Sequence, residues 1–144
     1  MIEGEKHKGF SLIELLTAMG IVAILAGIAY PGYIAQAQKA RRADAKIGLN
    51  QLAQQLERCF TEFDAYNNAN CAIVGPNKTI SVASPDRHYT LQSKDAGGGE
   101  GLTATAFVLY AIPVNTGQQA KDPCGTFSLD NSGKKTPTTT GCWE

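Results

Sequence analysis

Cys59, Cys71, Cys124 and Cys142 are the side chains with the clearest covalent chemistry available to them. Four thiols can pair in three ways, and none of the spacings here is the CxxC of a zinc site or a dithiol redox motif. The pairing we favour joins Cys59 to Cys71, pinning a loop where it leaves a helix, and Cys124 to Cys142, enclosing a final hairpin. In the chain-entropy description each closure contributes about 3 kcal/mol, a large share of the stability of a small head. Such bridges need an oxidising compartment, so the segment that carries them is expected on the periplasmic or extracellular side of a membrane.

Other reactive residue types do not converge. His88 follows Ser84, Pro85, Asp86 and Arg87, but a nucleophile and its base must be brought together by a supporting fold, and this short run reads as a solvated turn. Gly97-Gly98-Gly99 lacks the following Lys-Ser/Thr and helix of a phosphate loop. Asp130-Asn131-Ser132-Gly133 lacks the remaining oxygen ligands of a calcium loop, and the formal sequon Asn77-Lys78-Thr79 reads as a loop. No catalytic residue, metal or cofactor is expected. Lys39, Arg41, Arg42 and Lys46 could set cations against phosphates or anionic lipid. Most such clusters are solvated helix faces, and no aromatic stacking platform lies nearby. With Lys+Arg 13 against Asp+Glu 13, no overall field draws the chain to a polyanion. Nucleic acid binding is therefore the subordinate reading.

Glu14 is the only charged residue between positions 10 and 30, a stretch that includes Leu15-Leu16-Thr17-Ala18-Met19-Gly20 and continues apolar to Tyr30. At about 1.5 Å per residue this stretch spans roughly 30 Å, the hydrocarbon thickness of a bilayer. A secretory signal peptide cut near Ala35-Gln36-Ala37 fits poorly, because the run exceeds the usual apolar core of a signal and contains an acid. A buried helix of a soluble protein would need apolar cover on every side, and the remaining sequence is too polar to supply it. A plain anchor explains the apolarity but gives Glu14 no purpose. Lys6 and Lys8 before the span, against Lys39, Arg41, Arg42 and Lys46 after it, would by charge alone keep the C-terminal portion in the cytoplasm. The cysteines argue the reverse and outweigh it.

The residues Lys8-Gly9-Phe10-Ser11-Leu12-Ile13-Glu14, followed at once by Leu15-Leu16, resemble the class III signal of type IV prepilins and pseudopilins. The resemblance implies a leader of residues 1–9 cut after Gly9 by a prepilin peptidase at the cytoplasmic membrane face, an N-methylated Phe10, and Glu14 as fifth residue of the mature chain. Glu3 and Glu5 offset the basic Lys6 and Lys8 of this leader. Gly9 suits a cleavage position because no Cβ obstructs the protease. An unpaired Glu14 in hydrocarbon would cost on the order of 2.5–3.5 kcal/mol. The amine freed at Phe10 of a neighbouring subunit would neutralise it and set axial register. The plainer alternative lets Glu14 reach the headgroups and gain from the helix dipole. Ala23 and Gly27 form a small-xxx-small pair, with Gly20 a further small site. Pro31 and Gly32 are expected to interrupt the helix, since proline removes a donor and crowds the carbonyl four residues earlier. Cys124-Gly125-Thr126-Phe127-Ser128-Leu129, closing at Gly141-Cys142-Trp143, resembles the C-terminal disulfide region of PilE-type minor pilins.

Positioning these residues requires a long helix and a small head. After Gly32, residues Ile34, Ala37, Ala40, Ala43, Ile47, Leu52, Leu56, Cys59 or Phe60, and Phe63 recur at threes and fours, predicting an amphipathic continuation to residue 63. Beyond it the sequence becomes turn-rich. Strands are expected at residues 88–93, 102–114 and 125–129, the glycine-rich 95–101 loop joining the first two as a hairpin; residues 79–82 could add a short strand, and a turn at residues 130–133 precedes residues 134–138.

The expected fold is α+β: a long N-terminal helix, transmembrane in its first half, packed against an antiparallel sheet of three or four strands. Residues 1–9 form the leader, 10–33 the transmembrane assembly helix, 34–63 its amphipathic second half, and 64–144 the bridged head. The resemblance implies a structural subunit of a type IV pilus, held in the inner membrane with a periplasmic head before it enters an extracellular fibre. Its implied partners are other pilins, the prepilin peptidase, an assembly platform and a motor ATPase. A type II secretion pseudopilin and a membrane-anchored DNA-uptake subunit are the alternatives.

Overall fold

A computed structural model of the chain describes residues 10–94, 99 and 101–143. The leader, Gly9 with it, and most of the 95–101 loop lie outside these residues. The chain divides into two units, residues 1–36 and 37–144.

The first unit is helical from Leu12, where α1 (Leu12–Phe63) begins. Ser11 precedes it, a residue type favoured before a first turn, and the Ser11 carbonyl accepts from the Leu15 N–H at 3.2 Å. Residues 12–33 are all exposed, including Leu12, Ile13, Ile21, Ile24, Leu25 and Ile28. Pro31 lies inside α1 and helix continues on both sides. The break expected at Pro31 and Gly32 is therefore absent from this single chain. A proline removes one donor, and the neighbouring turns keep theirs.

In the second unit the rest of α1 shares one buried cluster with the sheet. Ala45, Leu49, Leu52 and Leu56 meet Ile80, Tyr89, Leu91, Phe107, Leu109, Ala111, Phe127 and Leu129. The helix approaches so closely at Gly48 that a Cβ there would meet the Leu91 side chain. The inward face differs from the expected one. Gln38, Asp44, Ala45, Gly48, Leu49, Leu52 and Leu56 are buried, whereas Ala40 and Ala43 are exposed and Ile47 is 51% exposed. Following apolar residue types alone shifts the helical phase, because the true inward face includes polar side chains whose partners lie far away in sequence.

The sheet has five strands rather than three or four: β1 (Ser81–Ala83), β2 (Tyr89–Gln92), β3 (Val108–Pro113), β4 (Phe127–Asp130) and β5 (Lys135–Thr136). They pair antiparallel in chain order. Tyr89, Leu91, Leu109, Ala111, Phe127 and Leu129 face the core, with the period of two that a half-buried sheet requires. The expected 102–114 strand is shortened at its start, where Thr103 and Ala106 close a turn through both backbone and the Thr103 hydroxyl. Leu102 and Phe107 form only an isolated bridge. A 3-10 turn, η1 (Gln118–Lys121), separates β3 from β4.

Candidate assembly surface and the fastened head

Two features of the structure bear on function. The first is the uncovered apolar part of α1. Among the described residues it is the one helix long and apolar enough to cross a membrane, and none of its most apolar window is buried by the chain itself. Phe10 is 83% exposed ahead of it. Glu14 stands in the first turn, where the exposed N–H groups of a helix favour an anion. The Thr17 hydroxyl donates to the Glu14 carbonyl at 2.9 Å.

The second feature is a polar clamp in the head. Arg42 faces inward and grips Asp122: Nε donates to Oδ2 at 2.9 Å and Nη2 to Oδ1 at 2.8 Å. The Arg42 side chain is 13% exposed and that of Asp122 is fully buried. Arg42 Nη1 also donates to the Gly141 carbonyl at 3.0 Å, so the helix holds the chain's tail. The hydrogen bonds that Arg42 donates to Asp122, opposed by burial, raise the Arg42 pKa further. Gln119 Nε2 donates to both the Tyr89 hydroxyl and Asp122 Oδ2 at 2.7 Å, and the Cys124 N–H donates to Asp122 Oδ1 at 2.9 Å. Burial pushes the Tyr89 phenol up to about 12. One turn earlier, Gln38 Nε2 reaches the Gln118 carbonyl at 2.7 Å.

This geometry corrects the reading of the basic cluster. Lys39, Arg41, Arg42 and Lys46 do not form one four-cation face, because Arg42 is committed to Asp122. Lys39 is exposed and Arg41 half-buried. Nor is the turn around His88 merely solvated. Buried Asp44 accepts from the Ser84 hydroxyl at 2.5 Å, the Asp86 N–H at 2.9 Å and the His88 N–H at 3.1 Å. Ser84 Oγ in turn accepts from the Tyr89 N–H at 3.0 Å. The helix thus fixes the β1–β2 turn, and His88 contributes its backbone rather than its imidazole.

The cysteines pair as Cys59 with Cys71 and Cys124 with Cys142, at Cα separations of 5.7 and 5.8 Å. The first bridge closes the exit from α1. The second encloses β4 and β5 and brings Trp143 against Phe127, with Trp143 Nε1 donating to the Thr136 carbonyl at 2.8 Å. Among the described residues no group of His, Cys, Asp and Glu could hold a metal ion. Asp44, Gln119 and Asp122 were not singled out by the sequence. Their partners lie far along the chain, and no local pattern marks a buried carboxylate that ends up paired.

The chain is similar to known type IV pilins. The chain is 35% identical over 63 residues to the type IV major pilin protein PilA of Myxococcus xanthus, a match covering 44% of this chain and 29% of that protein. The chain thus spans under a third of that pilin's length. It is 28% identical over 106 residues to the type IV wide pilus major component PilA4 of Thermus thermophilus, covering 68% of this chain and 81% of that one. A solved type IV pilin from Shewanella oneidensis is 30% identical, with 74% of this chain and 98% of the other covered and a TM-score of 0.46. The model of the prokaryotic N-terminal methylation motif matches residues 5–30. The model described as type IV minor pilin ComP, DNA uptake sequence receptor, matches residues 31–128. An apolar stem carrying a methylation motif, joined to a head that this model covers as far as residue 128, places the chain in the type IV minor pilin family.

Proposed function

We propose that this pilin is a structural, non-catalytic subunit that is cut after Gly9 by a prepilin peptidase, methylated at Phe10, and drawn from the inner membrane into a fibre by an assembly platform and its motor ATPase. The uncovered apolar run of residues 12–33 carries the reading, since a surface of that extent needs lipid or other stems around it. The head, with its two bridges, faces the periplasm before assembly. Glu14 pairs with the terminal amine of a neighbouring subunit as the stems dock, and repetition of a non-closing contact makes a filament. Pro31 and Gly32 are where the packed stem gives up regular hydrogen bonding within the fibre. Mass spectrometry of the mature N-terminus tests the first step: an N-methylated Phe10 is expected, and a retained Met1 would overturn the pathway. Glu14→Ala is expected to leave processing intact and to reduce incorporation into fibres. Normal incorporation would remove the pairing role.

The second reading is reception of DNA during uptake, favoured by the family description that covers residues 31–128. With Arg42 held by Asp122, this reading must use cations other than the cluster as a whole. Neutralising Lys39, Arg41 and Lys46 together, with Arg42 kept, tests the remainder of that cluster. Loss of DNA binding with normal fibre incorporation would assign it that role.

A further inference from the structure

Five tyrosines occur in the chain, and two of them, Tyr30 and Tyr33, stand in the first unit rather than in the head. They lie on α1 at the end of the apolar run and are 61% and 71% exposed. Three positions apart on a helix, they are neighbours on one side of it. Neither hydroxyl has a hydrogen-bond partner among the described residues. Tyr66 and Tyr89, by contrast, are buried in the head with their hydroxyls bonded to Glu57 and Gln119.

From Phe10 to Ala29 the sequence contains neither Tyr nor Trp, so the polar aromatic side chains of the stem are confined to one end. At about 1.5 Å per residue, a stem that fills the roughly 30 Å hydrocarbon layer from Phe10 onward brings Tyr30 to its boundary and Tyr33 about 5 Å beyond, into the headgroup layer. The first charged residue after Tyr33 is Lys39, so no nearer charge fixes the depth on this side. A tyrosine suits such a boundary because its ring is apolar while its hydroxyl donates to and accepts from water, phosphate and ester oxygens. Drawn deeper, the hydroxyl loses its partners; drawn outward, the ring loses its apolar cover. A neighbouring stem offers polar side chains only at Ser11, Glu14 and Thr17, in its other half, whereas headgroups offer acceptors on every side.

We propose that Tyr30 and Tyr33 seat in the phospholipid headgroup layer of the membrane and fix the depth of the stem before assembly. The inference rests on the reading of the stem as a membrane anchor. Pro31 and Gly32, between the two rings, are held at the same level.

The test uses the full processed chain, isotope-labelled for amide NMR, in bicelles of phosphatidylethanolamine and phosphatidylglycerol carrying a spin label either on the headgroup or at the acyl-chain end. The chain-end label is expected to broaden Gly20, and the headgroup label to broaden Tyr30, Gly32 and Tyr33. Tyr30→Phe with Tyr33→Phe removes only the two hydroxyls and is expected to move the headgroup-broadened zone by one helical turn, roughly 5 Å, toward Lys39. Tyr30→Trp with Tyr33→Trp, which restores a donor on each ring, is expected to keep the zone at residues 30–33. An unshifted Leu109 amide signal reports an intact head in each variant. Headgroup broadening that stays on residues 30–33 in the Phe variant would overturn the anchoring role while leaving the membrane stem intact. Headgroup broadening that misses these residues in the parent would do the same and assign the tyrosines to contacts between stems. Failure of the chain-end label to broaden Gly20 would overturn the membrane stem and the anchor with it.

Discussion

At Arg42 a guanidinium that is always ionised lies against a carboxylate with no exposed surface. Removing the cation leaves Asp122 buried without its charge partner, a change that typically destabilises by about 3–5 kcal/mol. Arg42→Ala should therefore lower head stability by roughly 3 kcal/mol, read by chemical denaturation through Trp143, the only tryptophan. Lys39→Ala, an exposed residue on the same helix, should change it by less than about 0.5 kcal/mol. Tyr89 supplies a pH dependence of defined sign. Its phenol is pushed up to about 12 in the folded head, against about 10 in an unfolded chain. The folded state thus holds this proton more tightly. The resulting stabilisation is complete below about pH 10 and is lost as pH rises toward 12. The denaturation midpoint should fall across that window, and Tyr89→Phe should make the fall shallower.

The elements depend on a few places where backbones meet without room for a side chain. Gly101 is the sharpest of these: its N–H donates to the Ser93 carbonyl at 2.7 Å, and a Cβ would run into the carbonyl oxygens of Ser93 and Val108. Backbone cannot swing aside as a side chain can. Gly101→Ala should cost about 1–3 kcal/mol and loosen the β2–β3 hairpin, measurable as faster amide exchange at Leu91 and Leu109. The long helix was legible from sequence because its spacing is regular over many turns. The strands at residues 88–93 and 125–129 were legible from alternation. The inward phase of α1 was not, since it includes Gln38 and Asp44, which are inside only because Gln118, Ser84, Asp86 and His88 meet them there. β1 and β5, at three and two residues, are too short for alternation to fix their bounds.

For the whole molecule, two bridges and one clamp hold the head's loops. By the chain-entropy model the Cys124–Cys142 closure contributes about 3 kcal/mol, and Cys124→Ser with Cys142→Ser should lower denaturation stability by about that amount. Arg42 holds the Gly141 carbonyl beside Cys142, so this pair and Arg42→Ala should not act independently. A triple variant departing from the sum by more than about 0.5 kcal/mol would reveal the coupling. The apolar stem was fully legible, since no packing was needed to see it. Each strand pairs with its neighbour in chain order, so few residues must be traversed before a newly made strand finds its mate. A polypeptide emerging N-terminus first can lay down β1 through β4 as each arrives. Arg42 and Gly141, 99 positions apart, join only when the last turn has cleared the exit. The clamp on residue 141 is thus among the last contacts of the head to form.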